Sequence, residues 1–290
     1  MSSIKDSRHP RFSAVQAAEA LRWWIRAGVN CALSETPQNR FANDAAEEAA
    51  LEANAPAAMR APPRTASETG PRASQGAAAA GPAEAAEIAA RALAAAATDL
   101  ETLRSLMADF DGCALKRTAT QLVFADGVAG SPVMFVGEAP GGDEDRIGRP
   151  FVGRAGQLLD RMLNAVGLDR RQVYIANIVP WRPPGNRTPT LQETQTCLPF
   201  IARQIELADP ELLVCLGAPS AQTLLGLKAR ITRARGSWFT YPRENGRTIP
   251  ALAMLHPAYL LRQPAQKRLA WADMRALASA LKDLRLQTEN

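Results

Sequence analysis

The chain has 290 residues, 47% of them apolar, which allows one large domain or two small ones. No uncharged run of 18 apolar residues occurs, and the start MSSIKDSRHPRFS has no apolar stretch behind its charges, so neither a membrane span nor a secretory signal is expected. Residues 1–111 hold 11 Lys and Arg against 14 Asp and Glu, whereas residues 112–290 hold 23 against 15, so all the excess positive charge lies in the C-terminal part.

That excess is nearly all arginine, whose planar fork matches phosphate oxygens and makes a polyanionic partner plausible. A compositional bias toward arginine would leave the same surface, so charge alone does not decide. Along the chain, residues 14–32 read as an amphipathic helix with Leu21, Trp24, Ile25 and Val29 on one face. Residues 43–85 reduce to Ala, Glu, Pro, Gly and Ser, too little apolar surface to offset ordering, and are expected to be a disordered linker. Helical spacing returns over 84–109, with Leu93, Leu100, Leu103 and Leu106 as packing positions. The expected boundaries are an N-terminal helical segment (1–42), the linker (43–85), a helical lead-in (86–111) and a main domain (112–286).

Beyond residue 120, short apolar runs at 133–136, 173–179, 212–216 and 249–255 alternate with amphipathic stretches near 155–166, 190–208, 218–226 and 265–284. Such alternation predicts a three-layer α/β/α sandwich around a central four-stranded parallel sheet. Ligands of such sheets gather at the carboxyl ends of the strands.

The first strand runs into VGEAPGGDEDRIGRPFVGRAGQLLD, where Gly137, Pro140, Gly141 and Gly142 suggest close backbone approach to a ligand. An ordinary strand–turn–helix connection would read the same way. The loop has neither the phosphate-loop Gly-Lys-Ser/Thr nor the dinucleotide Gly-x-Gly-x-x-Gly spacing. Phe151 stands in a loop as a candidate platform, and the helix opening at Gly153-Arg154-Ala155-Gly156 is a natural phosphate site. The second strand carries Asn177, whose amide needs partners, and leads into a proline-rich loop with Arg182 and Arg187. The third, LGAPSAQTLLG, reads as structural. The fourth ends at His256, one of two histidines in the chain, the other being His9. Glu138, Asn177, His256 and Phe151 at neighbouring strand ends would form a pocket for a flat polar ring.

GEAPGGDEDRIGRPFVGRAGQLLD, VYIANIVPWRPPGNRTP and LHPAYLLR, in this order between about residues 112 and 281, closely resemble the uracil-DNA glycosylase superfamily, in its family-4-like branch. The resemblance implies hydrolytic release of uracil flipped from DNA, as in base excision repair, with uracil-containing DNA as partner; a monomer is expected, and the cysteine usage and absence of a signal point to the cytoplasm. It implies Gly137, Ala139, Phe151 and Asn177 around the base, His256 as donor to the leaving anion and Glu138 positioning water. In the long-known members an aspartate follows the glycine; Ala139 stands there, so that role does not carry over. Leu260 or Leu261 would fill the gap left by the flipped base, a core role for Leu260 being equally open. Arg154, Gly156, Arg182 and Arg187 would meet the DNA backbone, and Arg262 the backbone or a groove.

Well-known members of this branch hold an iron–sulfur cluster on four cysteines. At those positions this chain has Cys113, Lys116, Trp181 and Cys197. Lysine and tryptophan supply no thiolate, and Cys31 and Cys215 are poorly placed to substitute, so no cluster or other cofactor is expected. Four cysteines in so long a chain do not make a disulfide framework either, and a reducing compartment fits them. A covalently trapping branch carries an extra histidine; none lies between His9 and His256, which favours turnover over a non-catalytic or trapping uracil-DNA binding protein.

Overall fold

In a computed structural model of the protein, residues 81–288 are described. The helix expected at 14–32 and nearly all of the linker expected at 43–85 lie outside them. The elements in chain order are α1 (Pro82–Ala96), α2 (Leu100–Asp109), β1 (Asp126–Gly127), β2 (Val133–Gly137), α3 (Gly142–Ile147), α4 (Arg154–Asn164), β3 (Tyr174–Asn177) and α5 (Leu191–Ala208). They continue with β4 (Leu212–Leu216), α6 (Ala218–Leu225), α7 (Ile231–Ala234), β5 (Trp238–Pro242), β6 (Thr248–Met254), α8 (Pro257–Arg262) and α9 (Lys267–Thr288).

The four expected strands are present and parallel, but the sheet has six, in the order β1-β3-β2-β4-β6-β5. The two additional strands lie antiparallel at the edges. β1 is two residues long and leaves no periodic signal, while β5 is half-exposed and ends in a proline. Pro250 sits in β6 opposite Thr240 of β5, before the pairing with β4 begins at Ala251. It therefore removes no hydrogen bond from the parallel core.

Alternate residues of the parallel strands face opposite layers, which is why these runs are apolar throughout. Val133, Phe135, Val214, Leu252 and Met254 pack against Leu159 and Leu163 of α4 and Met274 and Leu277 of α9. Met134, Val136, Leu213 and Ala253 face α1, α2 and α5 through Ala94, Leu103, Phe200 and Ile205. The lead-in is two helices: Asp99 breaks the run and caps α2, its carboxylate accepting from Thr102 N–H at 2.7 Å. The first of them begins at Pro82, inside the expected linker, since proline at the first helical turn gives up no hydrogen bond.

The sheet positions the site through its register. Gly137 lies beside Asn177 where β2 and β3 end, and Leu216 beside Met254 where β4 and β6 end. α4 covers one face after β2 and α6 follows β4 on the other, so the strand order reverses between β2 and β4 and opens a crevice there.

Candidate active site

That crevice is a cavity of about 590 Å³. Glu138, Ala139, Phe151, Asn177 and His256, which come from separate segments of the chain, all line it. Gly137 is what lets two of them meet: a side chain there would collide with Asn177 Oδ1 and come within 2.7 Å of the Phe151 ring. The Phe151 and His256 ring centroids are 5.6 Å apart, with planes inclined by 33°. Asn177 is buried in β3, and its Oδ1 has no hydrogen-bond partner.

His256 caps the N-terminus of α8. Its Nδ1 accepts from Ala258 N–H at 3.1 Å, which puts the ring proton on Nε2 and leaves an N–H donor available. Burial lowers its pKa from 6.5 to about 4, and the nearby Arg262 cation adds to this, so the ring is neutral at neutral pH. Glu138 shifts the other way. Burial holds its carboxyl above the usual carboxylate range, a hydrogen bond from Thr188 partly offsets this, and its Oε1 is buried without a partner.

Some expected contacts are placed differently. Leu260 is fully buried with Leu255 and Ala270, so it is core and cannot act as a wedge in this conformation, whereas Leu261 is partly exposed and Arg262 exposed. Gly156 is also buried; a Cβ there would overlap the Phe151 carbonyl, so its role is close packing rather than contact with DNA. The turn just ahead of α4 already meets an anion of the protein itself. Val152 and Gly153 N–H donate to Glu144 Oε1 at 3.0 and 2.8 Å. Arg187 forks onto Glu193 with two contacts of 2.8 and 2.7 Å, and that guanidinium holds the Glu193 carboxyl down to about 2. Arg182 Nε donates to Asn186 at 2.7 Å. Arg154 and Arg262 are exposed and have no ion-pair partner among the described residues.

Thr188 beside Glu138, and Glu144 and Arg170 around Phe151, are site residues that the sequence reading missed. Glu144 left a signal, a Gly-Gly-Asp-Glu helix start in which the glutamate can reach back to the preceding N–H. Arg170 left none.

The family model described as "Uracil DNA glycosylase superfamily" matches residues 124–275. The chain belongs to that superfamily. It is 40% identical over 173 residues to the type-4 uracil-DNA glycosylase of Thermotoga maritima, covering 59% of this chain and 88% of that one. With the type-4 uracil-DNA glycosylase of Pyrobaculum aerophilum it shares 40% identity over 171 residues, covering 58% and 87%. With that of Archaeoglobus fulgidus it shares 42% over 156 residues, covering 52% and 78%.

The positions at which superfamily resemblance implies an iron–sulfur cluster lie away from the cavity, between the sheet's lead-in and α5. Cys113 and Cys197 are buried with their sulfurs 3.8 Å apart. Trp181 is 1% exposed, with its ring stacked at 6.5 Å on Phe110, which meets Phe200 edge-on at 5.1 Å. Lys116 reaches out to Asp111 at 2.7 Å. Two touching thiols, an indole packed in an aromatic core and an ion-paired ammonium do not fit a four-thiolate cluster. Among the described residues, no group of three or more His, Cys, Asp or Glu side chains is gathered as a metal site. Nor, among them, is any helix long and apolar enough to cross a membrane.

Proposed function

We propose that this protein flips uracil out of DNA and hydrolyses its N-glycosidic bond, leaving an abasic site for base excision repair. The observation that carries the reading is the unpartnered, buried Asn177 Oδ1 in a cavity faced by the Phe151 ring. A buried acceptor left open is costly unless a ligand donor fills it. Uracil N3–H is such a donor, and the amide NH2 suits its O4; cytosine presents the reverse pattern at both atoms. Phe151 stacks on the base.

As the bond from C1′ to the base breaks, electrons move onto the base, largely to O2. His256 Nε2–H donates to that oxygen. A neutral imidazole suffices, since the task is donation to developing charge rather than proton transfer. Glu138, with Thr188 beside it, orients the water whose oxygen bonds to C1′, while the proton that water releases ends on the departing uracil anion through solvent. Leu261 fills the gap left in the stack, and Arg154, Arg182 and Arg262 meet backbone phosphates. Arg187 joins them only by loosening its fork on Glu193. We take 112–286 as the catalytic domain of a monomeric, cytoplasmic enzyme that works without an iron–sulfur cluster, Trp181 filling the space where relatives of this branch would hold one.

Single-turnover excision from a uracil-containing oligonucleotide tests the reading. Wild type should leave alkali-labile abasic sites, and Asn177→Ala should lose most of the rate while still binding DNA. Tight binding of the uracil strand with no base released would instead make the protein a reader or a trap and would sink the catalytic roles.

A further inference from the structure

Phe151 is one of three non-glycine residues with positive φ among those described, at φ 54. A bulky side chain rarely holds that conformation unless its surroundings impose it. Here two ionic side chains grip the peptides on either side of it. Arg170 Nη2 donates to the Phe151 carbonyl and Nη1 to the Pro150 carbonyl at 3.2 Å. Glu144 Oε1 accepts from Val152 N–H and Gly153 N–H. The cation thus meets carbonyls and the anion meets amides, each matched to the local dipoles.

Both ions are anchored in turn. Arg170 also pairs with Asp126 of β1, and its Nε reaches Asp160 of α4 at 2.7 Å. Glu144 Oε2 accepts from Gly141 N–H at 3.2 Å, which ties the Phe151 turn to the loop that carries Glu138. Two glycines make room for this carboxylate: a Cβ at Gly141 would lie 2.8 Å from Oε2, and one at Gly153 3.2 Å from Oε1. With three backbone donors on its two oxygens, Glu144 is engaged and is not placed to act as a base, although it borders the cavity.

We propose that Glu144 and Arg170 are a pair of positioning residues that hold the Phe151 ring as the stacking platform for the extruded base, acting on substrate through Phe151 alone. This rests on the uracil reading above. A clamp of this kind sets how tightly the base is held before the bond breaks, so its loss falls on base affinity and KM more than on kcat.

The test is a double-mutant cycle of Glu144→Gln and Phe151→Ala, read by competitive inhibition with free uracil and by KM and kcat on a uracil oligonucleotide. Glu144→Gln should weaken uracil inhibition roughly tenfold, the size of one lost base–aromatic stack. In the Phe151→Ala background it should change inhibition by less than about twofold, because the residue it acts through is gone. A purely structural role would lower melting temperature and active fraction while leaving the uracil inhibition constant of the folded molecules unchanged. Arg170→Lys, which keeps the charge but not the fork, should show the same non-additivity and serves if Glu144→Gln does not fold. Additive losses in both cycles, or unchanged uracil inhibition, overturn the clamp alone. Absence of excision by wild type overturns the uracil reading and the clamp with it.

Discussion

Two clusters of polar side chains in this fold have opposite characters. At the strand ends, Glu138 and Asn177 keep buried oxygens without partners, Phe151 holds a left-handed backbone, and His256 is an imidazole that burial keeps neutral. Around Cys113 and Cys197, the thiols touch each other, Trp181 and Phe110 stack, and Lys116 turns out to Asp111. The first region tolerates unmet hydrogen bonds and strain, and the second has been packed as core. A site that awaits a ligand leaves groups open at a cost in stability, whereas side chains packed as core satisfy one another. Substitutions in the first should therefore change chemistry, and those in the second stability.

The largest effect expected is on the packed side. Trp181→Ala removes a fully enclosed indole and should cost roughly 3–5 kcal/mol in urea unfolding, with excision per folded molecule unchanged. Stoichiometric iron in the purified protein, or excision abolished by Cys113→Ser, would break the contrast, because the second region would then be a cofactor site. On the open side, His256→Ala should slow single-turnover excision by about 10²-fold or more, roughly 3 kcal/mol of barrier, with DNA affinity little changed.

Acid gives the third effect. The unfolded His256 titrates near 6.5 and the folded ring near 4, so between those values the unfolded state binds the extra proton. Stability therefore falls as pH drops through that window, by up to about 3 kcal/mol, and is regained toward neutral pH. Urea unfolding at several pH values should show this acid loss in wild type and a smaller one in His256→Ala. If Glu138 must be ionised to orient water, excision rises with pH through a value above the usual carboxylate range, and Glu138→Gln flattens that limb of the profile.

Leu260 and Leu261 carry the same contrast at adjacent positions. Leu260→Ala should destabilise by about 2 kcal/mol or more through a core cavity, while Leu261→Ala should leave stability within about 0.5 kcal/mol and slow excision from duplex DNA. The smallest effect is that of Arg154→Gln, which should reduce the salt dependence of DNA binding by a slope of about 1 without altering the excision rate of bound substrate.

The parallel strands, their helices and the convergence of Glu138, Phe151, Asn177 and His256 could be read from the chain, because apolar runs and strand-end motifs are local signals. β1 could not, being two residues held by pairing with Ile175 and Tyr174. The inward turn of Leu260 was equally hidden, since leucines at 260 and 261 look alike until α4 and α9 pack against one of them.

The layered alternation of strands and helices, the residues that converge on the cavity, and a lysine and a tryptophan at 116 and 181 are all legible along the chain, since periodicity and residue type suffice for each. How the polar groups are used is settled by the folded arrangement. It seated Glu144 on the Val152 and Gly153 N–H groups just ahead of α4, engaged Arg187 with Glu193, and set the tautomer of His256 through Ala258. Each of these depends on which hydrogen-bonding group reaches another first, and that is settled by distances across the fold, which spacing along the chain does not encode.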